Sequence, residues 1–198
     1  MAEEQKPKPK FTPEQIEEMK KAAAAKKAAA AKAAAEEEKA APPPPPEPPA
    51  WLSEILQQCR GTEYMGPDSN HWERVQVAND QVVTLARTLK EKGFNYLTSL
   101  SGVEYRDSFG TVLHLYNIEQ KWQLCVQYRT ADKNDPVSLP SVSAIWPTAD
   151  WHERESYDLL GIRYEGHPDL RRLLLPDDTQ GHPLRKDFVP TNDGSLKI

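Results

Sequence analysis

The chain is expected to fold as an α+β domain: an antiparallel or mixed sheet of about four strands, helices mainly on one face, then an extended C-terminal arm. Three observations lead there. Hydrophobic periodicity changes along the chain in the order helix, strand, helix, three strands, helices. The three consecutive strands are parted by short turn-type gaps, so they should pair as antiparallel hairpins. Once the first fifty residues are set aside, about 145 remain, the size of one ordinary domain.

Each element has its own signal. Residues 49–61, PAWLSEILQQCRG, open with a short helix whose Trp51, Ile55 and Leu56 face inward. In WERVQVAND, Val75 and Val77 fall on one face of a strand. Asn79 or Asp80 then caps a helix through QVVTLARTLKEKG; Val82, Leu85, Ala86 and Leu89 form its apolar stripe, and Gly93 ends it in the left-handed conformation. FNYLTSLSGVEY, GTVLHLYNI and KWQLCVQYRT are the three strands, separated by turn chemistry at Asp107, Gly110 and Glu119-Gln120. Trp122, Leu124, Val126 and Tyr128 alternate at the two-residue strand period. His114 alternates with apolar neighbours and reads as a cross-strand packing residue. Pro140 to Ala149 is expected to form a short helix leading into a second. There Asp150 and Glu153 make a D-x-x-E capping arrangement, and Gly161 terminates the helix after Leu160.

Residues 1–50 are a low-complexity Ala/Lys/Glu and Pro-rich extension, 51–149 the α+β domain, and 150–198 an anchor helix with an extended arm. In the extension, Thr12, Pro13 and Gln15 make a helix start with a T-x-x-Q capping box, and alanine and lysine carry the helix to Ala41. Such a helix has little to bury, and a polyproline spacer over 42–49 follows it. Two readings stand: a solvated, partly helical spacer, or a lever that docks on a neighbouring protein.

The formal charge is −5, and the nine lysines of residues 1–50 are matched by nine glutamates, so the deficit lies in the globular part. A net acidic domain is a poor partner for a phosphate backbone, so no nucleic-acid partner is expected. Cys59 and Cys125 stand far apart with no C-x-x-C, so their spacing frames neither zinc nor an iron–sulfur cluster. Cys125, inside a strand, reads as a buried apolar residue in a reducing compartment. No apolar run approaches the roughly 20 residues of a membrane helix, and no signal peptide is legible.

The densest stretch is 151–188, WHERESYDLLGIRYEGHPDLRRLLLPDDTQGHPLRKDF, which holds three of the five histidines. His152-Glu153 begins an H-E-x-x-H zinc motif, but Ser156 stands where the second histidine is needed. His167 and His182, each followed by proline, lie too far apart in sequence to form a metal site unaided. Glu155 and Asp158, three apart, are a candidate carboxylate pair for a hydrolase. Against this, Arg154, Arg163, Arg171, Arg172 and Arg185 are interleaved with the acids and point to ion pairing. The prolines after Gly161 forbid long helices and leave an arm with turns at Gly-His-Pro and Pro-Asp-Asp. Its leucines, beside two arginines, suit a large permanent protein contact, or an arm folded back on its own domain.

ERESYDLLGIRYEGHPDLRRLLLPDD closely resembles the hallmark of the C-type subunit of NADH–quinone oxidoreductase, the 30 kDa subunit of respiratory complex I, known as the J-type subunit in photosynthetic relatives. The matched elements are Glu153, Arg154, Glu155, Asp158, Gly161, Gly166, His167, Pro168, Leu170 and Arg171, followed by the GHPLRKDF block with His182, Pro183 and Arg185. The likeness spans roughly residues 51–190 and leaves the Ala/Lys tail outside. His152 and Tyr164 depart from the residues common there.

The resemblance implies a structural subunit of the hydrophilic arm of a proton-pumping NADH– or ferredoxin–quinone oxidoreductase. It would dock on a separate D-type subunit near the quinone-reducing end, beside the B-type and I-type iron–sulfur subunits. It implies no catalytic residue and no cofactor in this chain, with FMN and iron–sulfur clusters carried by other subunits of the respiratory form. Membrane association would come only through the complex, at the cytoplasmic face of the plasma membrane, or of the thylakoid in a photosynthetic form. The residues expected at the interface are the matched elements above with Trp151 and Arg172, the helix acids and Arg154 joined in an ion-pair network. The equivalent subunit of a membrane-bound hydrogenase-type complex and a stand-alone carboxylate hydrolase are the alternatives.

Overall fold

The computed structural model describes residues 47–134 and 136–189. The expected helix over 12–41, most of the proline spacer and the end of the arm beyond 189 lie outside the described residues. The elements are α1 (Ala50–Gln58), β1 (Thr62–Pro67), β2 (Glu73–Val77), α2 (Val82–Glu91), β3 (Tyr96–Glu104), β4 (Phe109–Asn117), β5 (Trp122–Arg129), β6 (Ser138–Pro140), α3 (Ala149–Leu160) and β7 (Arg163–Glu165).

Five strands form one sheet in the order β1-β2-β5-β4-β3, and β6 pairs with β7 in a second, two-stranded sheet. The β3–β4 and β4–β5 hairpins are antiparallel, as the short gaps predict. The sheet is mixed because β2 runs parallel to β5. The expected four strands thus become five plus a small pair. β1 escapes notice because it is a half-exposed edge strand broken by a register shift between Tyr64 and Gly66. β6 and β7 are three residues each, too short to show a period.

All three helices cover one face. Leu113, Leu115, Thr111 and Asn117 share a face of β4 and pair with Val126, Leu124, Tyr128 and Trp122 of β5. The α2 stripe of Val82, Leu85, Ala86 and Leu89 packs there in the main core. Trp51 of α1 stacks on Trp122, with ring centroids 4.8 Å apart and planes 8° from parallel. Leu52 and Ile55 are the deepest residues of α1, while Trp51 and Leu56 are half-buried around them. At the other end of the sheet Gly102 of β3 lies under Ser156 of α3, whose Oγ accepts the Gly102 N–H at 3.0 Å. A Cβ at Gly102 would fall 2.9 Å from the Ser156 Cβ, so the close approach of helix to strand depends on that glycine. The contact also occupies one N–H of an edge strand. On the other face His114 meets Ser99 Oγ at 3.1 Å and the edge of Trp72, the expected packing role.

Three local expectations are corrected. Asn79 and Asp80 do not cap α2; Asn79–Gln81 form a 3-10 turn and the N-cap is Gln81, without a side-chain bond. Pro140 to Ala149 is not a helix. Ser138–Pro140 is a strand, and tight turns follow, with Trp146 N bonded to Val142 O and Ala149 N to Trp146 O. Pro147 blocks a continuous helix through this segment. Finally, Asp150 and Glu153 form no capping box; the N-cap of α3 is Thr148, and Glu153 points into the core.

Candidate docking interface

The helix α3 carries its buried residues at Ala149, Glu153, Ser156 and Leu160, a helical spacing with polar groups at two core positions. It ends at Gly161 with φ +74, the expected left-handed stop. A side chain does not suit that place, because a Cβ there would lie 2.5 Å from His182 Cδ2. The arm thus returns across the end of the helix. Leu184 N–H bonds to Leu159 O at 3.0 Å, Arg185 Nε to Leu160 O at 2.7 Å, and His182 Nδ1 lies 2.9 Å from Asp158 O. The expected Pro-Asp-Asp turn is present, closed by Thr179 N–H to Pro176 O at 3.0 Å.

Asp158, fully buried, holds this arm. Its Oδ2 accepts three successive backbone N–H groups, from Leu173, Leu174 and Leu175, at 3.1, 2.7 and 2.9 Å. Its Oδ1 takes Arg172 Nη1 at 2.7 Å. The other Arg172 nitrogen reaches the carbonyls of Thr179 and Gly181. The leucine run therefore wraps its own backbone around a carboxylate as an anion nest. Burial opposes the charge, but the three N–H groups and the guanidinium outweigh it and hold the Asp158 carboxyl below its ordinary value.

Glu153 is equally buried but differently placed. Ser141 Oγ donates to Oε2 at 2.6 Å and Val142 N–H to Oε1 at 2.8 Å, tying α3 to the turn after β6. Its nearest cationic candidate is His167, whose Nε2 is 4.0 Å away. Burial pushes the Glu153 carboxyl up to about 7; the Ser141 and Val142 bonds resist this and the nearby Asp150 adds to it. The His167 ring is fully enclosed. Its Nδ1 accepts the Asp169 N–H at 3.1 Å, so the neutral ring carries its proton on Nε2. That nitrogen faces Asp150 O at 3.4 Å and Asp150 Oδ1 at 3.5 Å.

The expected joint ion-pair network of Glu153, Arg154, Glu155 and Asp158 is not formed. Asp158 pairs with Arg172, and Glu153 has hydroxyl and amide partners. Arg154 turns to the carbonyls of Arg171 and Arg172 at 3.3 Å, with Asp150 Oδ1 3.9 Å away. Glu155 is exposed and has no hydrogen-bond or ion-pair partner among the described residues. A three-residue separation does not bring Glu155 and Asp158 to a shared site: one faces solvent and the other lies in the core. With its lone pairs occupied, Asp158 is not placed to act as a nucleophile or base beside Glu155.

What α3 and the arm present outward is apolar and cationic. Trp151 is 61% exposed, with the Arg154 guanidinium 5.3 Å from its ring. Leu174 and Leu184 are 61% and 60% exposed, and Val189 78%. Arg171 is exposed and pairs with Asp169 at 3.0 Å. Gly166 and Pro168 are exposed, Pro183 is half-buried, and Leu170 packs on the core edge. The arm is thus folded back on its own domain while its leucines remain open. Both cysteines are free and buried. Among the described residues no group of three or more His, Cys, Asp or Glu could hold a metal, and no helix is long and apolar enough to cross a membrane.

Similarity to known proteins follows the same stretch. The family model described as "Respiratory-chain NADH dehydrogenase, 30 Kd subunit" matches residues 75–193. The C-type subunit of the NADH-quinone oxidoreductase of Moorella thermoacetica is 43% identical over 121 residues, covering 60% of this chain and 80% of that one. The second C-type subunit of the Rhizobium meliloti enzyme is 42% identical over 118 residues, covering 57% of this chain and 63% of its own length. The corresponding subunit of Chloroherpeton thalassium reaches 52% over 99 residues, but only 40% of its length is spanned. Among solved structures, the trypsin-resistant fragment (1–134) of Nqo5 superposes with a TM-score of 0.52 at 27% identity, covering 60% of this chain and 98% of the fragment. A chain in the membrane-bound sulfane sulfur reductase, an archaeal respiratory membrane complex, superposes with a TM-score of 0.61 at 25% identity, covering 70% of this chain and 84% of that one.

Proposed function

This chain belongs to the family of the 30 kDa subunit of respiratory-chain NADH dehydrogenase, and from that premise we propose that it is a non-catalytic structural subunit of the peripheral arm of a proton-pumping quinone oxidoreductase. It docks on the D-type subunit near the quinone-reducing end, beside the B-type and I-type subunits, on the cytoplasmic face of the membrane. Its role is to hold shape: the flavin and iron–sulfur chemistry belongs to the neighbouring subunits. The observation that carries this reading is the surface of Trp151, Arg154, Leu174 and Leu184, left open on a helix and arm that Asp158 locks together. Tryptophan and arginine anchors on a pre-ordered surface are what a permanent interface uses, because little ordering entropy remains to be lost on docking.

Purification from solubilised membranes through a tag on the full chain tests the reading. Co-elution of flavin, iron–sulfur and D-type subunits is the expected result; recovery of the chain alone refutes it. The likeness to a sulfane sulfur reductase chain supports a second reading, the equivalent position in a related complex with another donor and acceptor. Under that reading hydrogenase-like and iron–sulfur subunits co-elute, and the flavin-bearing NADH-oxidising subunits do not.

A further inference from the structure

Between α3 and β3 lies a groove of about 190 Å³. Its walls are Leu100, Leu159, Leu160 and Leu184, and Glu155 stands at its rim with Ser101. The groove is built rather than incidental. Leu184 is fixed to Leu159 by a backbone bond of 3.0 Å, so the returning arm forms one wall. At the floor the Ser156 hydroxyl is fully used, donating to His152 O at 2.9 Å and accepting Gly102 N–H at 3.0 Å. That leaves Glu155 as the charged group of the lining, and it has no partner among the described residues. The chain's own nearby cations are engaged elsewhere. Arg154 is held by the carbonyls of Arg171 and Arg172, and Lys186 Nζ by Glu104 O at 3.2 Å.

We propose that this groove receives one lysine or arginine side chain from the neighbouring subunit, its methylene stem lying on Leu159 and Leu184 and its cation paired with Glu155. The inference rests on the docking reading above and deepens it by naming the chemistry of the contact. Long basic side chains bury an apolar stem while keeping the charge at the rim, which matches leucine walls under a single carboxylate. Arginine suits the site better than lysine, since its planar fork can take both carboxylate oxygens. The pair is closed from water on the side of α3 and β3, so its removal weakens docking more than loss of an open surface pair.

The test uses the full chain in its complex. Glu155→Gln and Leu184→Ser are each expected to lower the co-purified neighbouring subunits at moderate salt by about tenfold or more. In the isolated full chain, Glu155→Gln shifts the thermal midpoint by less than about 2 °C, since the carboxylate supports nothing within the domain. Wild-type recovery of partners with Glu155→Gln overturns the inference, as does a large fall in the isolated chain's midpoint. Backbone amide shifts of the lysine-rich residues 1–46 that change with Glu155→Gln in the isolated chain also overturn it, because the occupant is then this chain's own tail. Failure of the docking reading is distinct: the wild-type chain then brings down no partner at all.

Discussion

Glu153 should make this protein lose stability as pH rises toward neutrality, the reverse of the usual behaviour of a paired carboxylate. Its carboxyl is raised from 4.5 to about 7 in the folded chain, by burial first. Below the unfolded value both states are protonated and the full contribution is present. Between about 4.5 and 7 the folded state holds a proton the unfolded state has released, so stability falls by roughly 1.4 kcal/mol per pH unit and levels off above 7. The total is about 3 kcal/mol over the window. Asp158 and Glu104, both lowered, act elsewhere: their contributions are lost only as pH drops below about 4. The assay is urea unfolding of the isolated full chain at half-unit steps from pH 5 to 8, beside Glu153→Gln. Glutamine keeps an oxygen for Val142 N–H and offers its NH2 to Ser141 Oγ, so the variant should fold while losing this slope. A wild-type profile flat over pH 5–7, or the same slope in the variant, refutes the assignment.

Three further outcomes follow from the same contacts. Asp158→Ala leaves Arg172 and three backbone N–H groups unpaired and should cost about 3–5 kcal/mol in urea unfolding of the isolated chain; a cost under about 1 kcal/mol contradicts the nest. Gly161→Ala, strained at φ +74 and crowding His182, should cost about 1–3 kcal/mol and speed amide exchange at Leu184; unchanged exchange there means the return of the arm does not depend on that turn. Trp151→Ala should change isolated-chain stability by no more than about 1 kcal/mol, the scale of an exposed cation–π contact, yet release partner subunits in co-purification; retention of partners removes Trp151 from the interface.

The hairpins β3–β4 and β4–β5 are legible in the sequence because a half-buried strand writes its register into every second residue, as Trp122, Leu124, Val126 and Tyr128 do. Gly93 and Gly161 are legible as helix stops because both adopt positive φ. β1 is not, since Tyr64 and Met65 sit on a bulged edge where burial and residue type part company. The site is half-legible. Charge density marks 151–188, and motif resemblance marks its family, but neither shows which acid pairs with what. Glu153 occupies a core position that patterning reserves for apolar residues; its stripe with Ala149, Ser156 and Leu160 is the one available hint. Asp158 meets backbone groups fifteen to seventeen residues away, and backbone N–H groups leave no trace in residue identity. An interleaved run of acids and arginines therefore looks like a ladder of ion pairs when it is a set of separate anchors.

Hydrogen exchange of the full chain, compared alone and within the purified complex, tests the central claim most directly. The α3–arm surface as an interface predicts slower exchange in the complex at the arm amides of 166–189, above all near Leu174 and Leu184, with little change at the helix-free sheet face around Cys125 and Gln127. Equal exchange across 166–189 in both states, or protection confined to that sheet face, contradicts it.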